Sequence, residues 1–319
     1  MTRFLSIPGV VRHKDVGSQR LASYFRGLYR RATQGDGEAQ WEVGVNLFEH
    51  DGAFKRAPKK AITWFRRALD NGYTPASNNL AFAFLTGTGV VRDAKRAIEL
   101  YQVAIDAGDL AALWNLGKCY LSGSGVRRDI PSGIKLLRRS ANEGFYLAAV
   151  DLAALYEGGE VVRKNAAESV RWLKVAAHLA DDADDADATR RLALAYERGW
   201  GVKRSVGTAF RLMERAATMG NVDAWHVLGW YFHQGIGVRR NSRAALKWYK
   251  KAARTGDSIS AFDIGVIYWD GGKRGLATSW FKKAASLGHR RSSKFLLTRR
   301  EELLFLPEPG LGLIAPGGC

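Results

Sequence analysis

Cysteine is nearly absent from this chain of 319 residues, occurring at Cys119 and at Cys319 alone. Two cysteines so placed make neither a disulfide framework nor a metal-ligand spacing, which points to a reducing compartment and a cytoplasmic location. Long apolar runs are missing too: none approaches the roughly 18–20 residues a membrane-spanning helix needs, so no membrane span is expected. Phe4 to Val11 is apolar but broken by Pro8 and Gly9, and no small-residue cleavage site follows it, which argues against a secretory signal. Acids are scarce. Lys and Arg number 49 against 31 Asp and Glu, a formal net charge of +18, and that excess suits an acidic protein face, nucleic acid or an anionic surface as partner. Before Gly35, Arg3, Arg12, Lys14, Arg20, Arg26, Arg30 and Arg31 stand against the single acid Asp15. This stretch is read as a basic capping helix from about Ser18 to Thr33; an Arg-rich, acid-poor leader is also how an organelle-targeting segment reads, and that alternative stays open.

Catalytic and metal-binding patterns are equally thin. The six histidines are His13, His50, His178, His226, His233 and His289. His226 and His233, seven apart beside Trp225 and Trp230, share a helix face, but no third ligand stands at a spacing such as His-Glu-x-x-His. A groove-edge or partly buried role is expected for both. No Ser, His and acid set stands out as nucleophilic. The pairs Gly87-x-Gly89, Gly123-x-Gly125, Gly199-x-Gly201 and Gly235-x-Gly237 each follow a helix pattern, whereas a dinucleotide loop follows a strand, so they are turns. The acidic run Asp181, Asp182, Asp184, Asp185 and Asp187 lacks the glycine and bidentate glutamate of an EF-hand and reads as a solvated loop. The chain is therefore expected to be no enzyme, with no catalytic residue, metal or cofactor.

What the sequence does have is a period. Small residues recur at Gly35, Gly72, Gly108, Gly144, Ala180, Gly220, Gly256 and Gly288, with spacings of 37, 36, 36 and 36, then 36 once four extra residues at 181–184 are set aside, then 36 and 32. A repeat of this length means stacked helix pairs, because one pair cannot bury its own apolar face.

The repeat from Gly108 to Gly144 shows the plan. Ala112, Leu116 and Tyr120 fall on one stripe of a helix, and Gly117 lets a neighbouring helix approach closely. Gly123 and Gly125 end that helix. Asp129 caps a second helix, Pro131 sits in its first turn, and Leu136, Leu137, Ser140 and Ala141 form its inward stripe. Elsewhere the small residue recurs as Ala39, Ala76, Ala148, Ala188, Ala224 and Ser260, and the cap as Asp93, Asn165, Ser205 and Asn241. Second-helix cores recur as Trp64-Phe65, Leu100-Tyr101, Trp172-Leu173, Leu212-Met213, Trp248-Tyr249 and Trp280-Phe281.

The run Gly220, Ala224, Leu228-Gly229, Gly235-Ile236-Gly237-Val238, Ala245, Trp248-Tyr249-Lys250-Lys251-Ala252-Ala253 and Gly256 resembles a SEL-one-like repeat, a slightly longer relative of the tetratricopeptide repeat. The resemblance implies an all-α fold: a right-handed α-solenoid of about seven stacked helix-turn-helix repeats with capping helices. It also implies an adaptor whose first helices line a concave side. Three repeats depart from the pattern: the first has His50-Asp51-Gly52 at the turn, the fourth Glu160-Val161-Val162, and the seventh Gly271-Gly272-Lys273. Secreted members carry a disulfide in each repeat, which this chain cannot form. The expected organisation is a basic extension and capping helix over 1–34, repeats over 35–288, and a capping helix with a flexible tail over 289–319. Phe295, Leu296 and Leu297 belong to that capping helix, and Pro and Gly crowd the tail.

Two candidate surfaces follow. On the first helices, Asn79, Asn115, Asp151, Arg191 and Asp263 occupy one equivalent position, with Glu42 and Val227 completing the row; Phe82, Lys118 and Trp230 stand three residues on. A strip of amides, charges and aromatics suits an extended protein or peptide partner in the groove. The other surface is a basic pair ahead of the second-helix caps: Arg127-Arg128, Arg163-Lys164, Lys203-Arg204 and Arg239-Arg240, with Arg92 as a half case. Stacking would set these pairs about 10 Å apart along one edge. They would face the positive end of a helix dipole, an unfavourable placement that hints at a polyanion partner.

Overall fold

The computed structural model describes residues 18–48, 56–180 and 186–298, and in them sixteen α-helices and no strand occur. The expectations for the leader and His13, for His50-Asp51-Gly52, for Asp181, Asp182, Asp184 and Asp185, and for the tail with Cys319 lie outside the described residues. Helix α1 (Ser18–Thr33) precedes the repeats. First helices of successive repeats are α2 (Gly37–Phe48), α4 (Ala76–Thr86), α6 (Leu110–Ser122), α8 (Tyr146–Gly158), α10 (Ala186–Arg198), α12 (Val222–Gln234) and α14 (Ser258–Asp270). Second helices are α3 (Pro58–Asp70), α5 (Ala94–Asp106), α7 (Ile130–Asn142), α9 (Ala166–Leu179), α11 (Val206–Thr218), α13 (Ser242–Ala253) and α15 (Arg274–Ser286), and α16 (Arg290–Thr298) follows. They form two compact units that divide between Asn165 and Ala166. Within each unit every helix packs on the next, α1 to α8 in the N-terminal unit and α9 to α16 in the C-terminal one.

Local chemistry sets the helix limits. Asp93, Asp129, Ser205 and Asn241 each accept a hydrogen bond from a backbone N–H in the first turn of α5, α7, α11 and α13. One otherwise orphaned donor per helix is thereby satisfied. Asp109, Asn221 and Asp257 do the same for the first helices α6, α12 and α14. Gly235 closes α12 at φ +79°, a conformation that carries a steric penalty for any residue with a Cβ. In the fourth repeat, which lacks the second glycine, Gly159 alone turns the chain, and its N–H reaches the Leu155 carbonyl. In the shortened seventh repeat the left-handed residue moves to Gly272, φ +73°.

Packing between the two helices of a repeat is close because the sequence places nothing where they meet. A Cβ on Gly229 would lie 2.6 Å from the Tyr249 ring, and one on Gly117 3.2 Å from Leu137. The small row Ala39, Ala76, Ala112 and Ala148 in one unit, and Ala188, Ala224 and Ser260 in the other, is fully buried. In the second-helix pairs the later member is always core: Phe65, Tyr101, Leu173, Met213, Tyr249 and Phe281 are all buried. The earlier member varies. Trp64 and Trp172 are buried, whereas Leu100, Leu212, Trp248 and Trp280 are half-buried. The expectation of a core ring at Trp248 is thus corrected: one residue is 100° of helix turn, and Tyr249 takes the inward direction. In α16, Phe295 is buried against the Trp269 and Phe281 rings while Leu297 is exposed.

Candidate functional site

In the N-terminal unit, polar side chains of the first helices bond from one repeat to the next. Trp41 Nε1 donates to Asn79 Oδ1 at 2.8 Å, Asn115 Nδ2 to Asn78 Oδ1 at 3.0 Å, and Trp114 Nε1 to Asp151 Oδ2 at 2.8 Å. The indoles and Asn78 sit one residue before the row singled out in the sequence. Their signal was a donor-bearing residue at 41, 78 and 114, in register with the period. Lys118 extends the last pair: its Nζ lies 3.6 Å from Asp151 and 4.3 Å from the centroid of the Trp114 ring. Burial pulls the Lys118 pKa below its ordinary value, and Asp151 opposes that shift.

The expected open strip is therefore only partly open. Asn79 and Asn115 are 2% and 4% exposed and join neighbouring repeats, a correction that follows from the side chains of the adjacent repeat that bond to them, Trp41 and Asn78. Asp151, Lys118 and Phe82 are half-buried and present a surface. In the C-terminal unit Arg191, Asp263 and Trp230 are half-buried as well. There, Tyr231 donates to Glu197 Oε2 at 2.8 Å, and Lys251 lies 4.2 Å from the centroid of the Trp225 ring.

His226 and His233 are buried rather than at a groove edge. His226 Nδ1 lies 3.0 Å from Ser260 Oγ, 3.5 Å from Asp257 Oδ2 and 3.8 Å from Asp263 Oδ2, joining α12 to the next repeat. Among the described residues no group of His, Cys, Asp and Glu is arranged to hold a metal ion.

The basic pairs divide by role. Arg92, Arg127, Arg128, Arg163 and Lys164 in one unit, and Lys203, Arg204, Arg239 and Arg240 in the other, are all exposed. Three of the second members turn back. Arg92 Nε donates to the Leu85 carbonyl at 3.1 Å, Arg128 Nε to Leu121 at 3.0 Å, and Arg204 Nε to Glu197 at 2.9 Å. Each carbonyl lies in the last turn of a first helix, the negative end of its dipole. The unfavourable placement expected for these three is corrected to a favourable one.

A recess of about 260 Å³ opens between the N-terminal ends of α4 and α6, lined by Trp41, Tyr73, Asn78, Asn79, Asp109 and Ala111 among others. Among the described residues no helix is long and apolar enough to cross a membrane.

Comparison with known proteins adds a family and a fold. The model of the Sel1 repeat matches residues 37–73, 74–109, 110–145, 147–181, 186–221, 224–257 and 258–289. A solved structure of a protective antigen from uropathogenic Escherichia coli, displaying an SLR fold, is 28% identical with a TM-score of 0.67. That match covers 85% of this chain and 58% of the antigen, so the chain spans little more than half of that relative. A Sel1 repeat protein from Oxalobacter formigenes is 24% identical with a TM-score of 0.58, over 93% of this chain and 88% of its own.

Proposed function

We propose that this chain, which belongs to the Sel1 repeat family, is a scaffold that takes an extended segment of a protein partner along its first helices. Proteins of the family generally mediate protein–protein interaction, and their fold is typically a non-enzymatic scaffold. The observation that carries the reading is the Trp114, Asp151 and Lys118 group. A half-buried carboxylate and ammonium are fixed there by bonds between repeats. Groups already held in place lose little rotamer freedom on binding, so more of each contact appears as affinity. An extended peptide needs donors and acceptors for its backbone amides, which Lys118 and Asp151 supply, while Phe82 offers a half-buried ring at the equivalent of position 118 in the preceding repeat. In the C-terminal unit Trp230 and Arg191 offer a ring and a guanidinium. Cysteine scarcity accords with action in the cytoplasm, and the repeats are taken to run over 35–288 between capping segments.

The test is partner capture from the native host with Phe82→Ala/Lys118→Ala in one sample and Trp230→Ala in another, quantified by mass spectrometry. Loss of a defined set of proteins supports the reading. A set left unchanged by every groove substitution removes it.

A second reading, polyanion binding, draws on Arg127, Arg163, Lys203 and Arg239, the first members of those exposed pairs, in a chain of net charge +18. Such binding weakens steeply with salt, its log–log slope set by the number of phosphates neutralised. Purified protein that ignores nucleic acid at low salt ends this reading.

A further inference from the structure

The recess at the start of α4 and α6 holds about 260 Å³, below the roughly 300–1,000 Å³ of small-molecule and cofactor sites and enough to admit one side chain. Its polar groups have a definite sense. An indole Nε1–H only donates, so its 2.8 Å bond from Trp41 fixes which end of the Asn79 amide is oxygen. The other end, Nδ2, is buried, and among the described residues nothing accepts from it. Asn78 likewise commits its Oδ1 to Asn115. Both amides thus have an oxygen already engaged and an NH2 group left to donate.

Across from them, Asp109 receives the Ala111 and Ala112 N–H groups on Oδ1, leaving Oδ2 as an acceptor. Burial raises the Asp109 pKa above the usual carboxylate value, so a second negative charge here would be poorly tolerated. The Trp41 and Tyr73 rings, with centroids 5.6 Å apart, give the recess an aromatic wall.

Few side chains satisfy this set. A carboxylate meets Asp109. An ammonium or guanidinium suits Asp109 and the rings but leaves the amide donors without an acceptor. An aliphatic group answers none of them. A primary carboxamide brings one acceptor and two donors on a flat group that lies against a ring. We infer that the recess is an anchor site for a glutamine or asparagine side chain of the bound segment, an inference that rests on the peptide-binding reading above.

The test titrates the ¹⁵N-labelled full chain with acetyl-Gly-Gly-Xaa-Gly-Gly N-methylamide, Xaa being Gln, Glu, Lys or Ala. Indole N–H resonances of Trp41 and Trp114 are followed, each assigned by its loss in Trp41→Phe and Trp114→Phe. The Gln peptide shifts Trp41 saturably, and the other three bind at least about tenfold more weakly, as a site built for hydrogen bonds rejects groups lacking them. Asn79→Asp keeps the acceptor for Trp41 and removes the donor, and it abolishes the preference. Ala111→Leu fills the recess and blocks the shift, which covers the case in which Asn79→Asp does not fold. Glu, Lys or Ala binding as well as Gln overturns the inference, as does an unmoved Trp41 resonance. A Trp114 shift without a Trp41 shift overturns the anchor while leaving peptide binding in place.

Discussion

Trp114 and Asp151 stand one repeat apart, and the indole N–H of the first meets a carboxylate oxygen of the second at 2.8 Å. Helix stacking alone makes an apolar seam that tolerates sliding. A directional bond between named atoms fixes where one first helix lies along the next.

Replacing Trp114 by Phe keeps most of the ring and removes the donor. Stability in urea falls by about 1.5 kcal/mol, the low end for a bond to a charged acceptor because Asp151 is half exposed to water. Asp151→Asn, which keeps an acceptor, loses less. Equal losses in the two variants would mean that charge, not the hydrogen bond, holds the junction.

Tyr249 is 0% exposed and touches Gly229, whereas its neighbour Trp248 is half-buried. Tyr249→Ala costs about 3–5 kcal/mol, as large-to-small core changes do. Trp248→Ala costs less than half of that. The order of the two denaturation midpoints checks the assignment of the inward face.

Arg127 and Arg128 are adjacent and both exposed, yet only Arg128 is given a carbonyl partner, on Leu121. Arg128→Ala lowers stability by about 0.5–1 kcal/mol, and Arg127→Ala stays within about 0.5 kcal/mol of the parent. If the edge binds nucleic acid, Arg127→Ala reduces the salt slope by about one while leaving the melting temperature in place.

His233 is buried, and burial first, then the Arg240 charge, lower its pKa from 6.5, with Asp270 opposing. The unfolded ring therefore binds a proton before the native one. Stability is full above about pH 6.5, falls as pH drops through the window down to the depressed native value, and levels below it. His233→Asn flattens this slope relative to the parent in parallel denaturation curves at stepped pH. An unchanged slope would show that the native ring titrates normally.

The period, the caps at Asp129 and Asn241 and the turns at Gly123 and Gly235 were legible because each depends on a few neighbouring residues. Helix periodicity also placed Asn79, Asn115 and Asp151 at one angular position. It could not tell that the first two are covered and the third is not. Exposure there depends on how closely the next repeat sits and on whether its facing residue is an indole or an amide, which the periodicity of a single helix does not carry. Arg128 was misread for a related reason. Its position ahead of a cap was plain, but the turn brings it beside the last carbonyls of the preceding helix, a return that is set by backbone geometry. The recess shares this character, since Trp41, Asn79 and Asp109 come from α2, α4 and the cap of α6.

The junction bonds differ in kind along the array: indole to amide at Trp41 and Asn79, amide to amide at Asn115 and Asn78, indole to carboxylate at Trp114 and Asp151, imidazole to hydroxyl at His226 and Ser260. Copies of one motif could otherwise trade places, skip a neighbour or pair with the wrong copy in a second molecule. Here a transposed repeat would bring a different kind of group to several of these junctions, an imidazole to an amide or an amide to a hydroxyl. Serial order is thus written into the polar contacts, so deleting or duplicating an internal repeat would disturb this array more than its regular period implies.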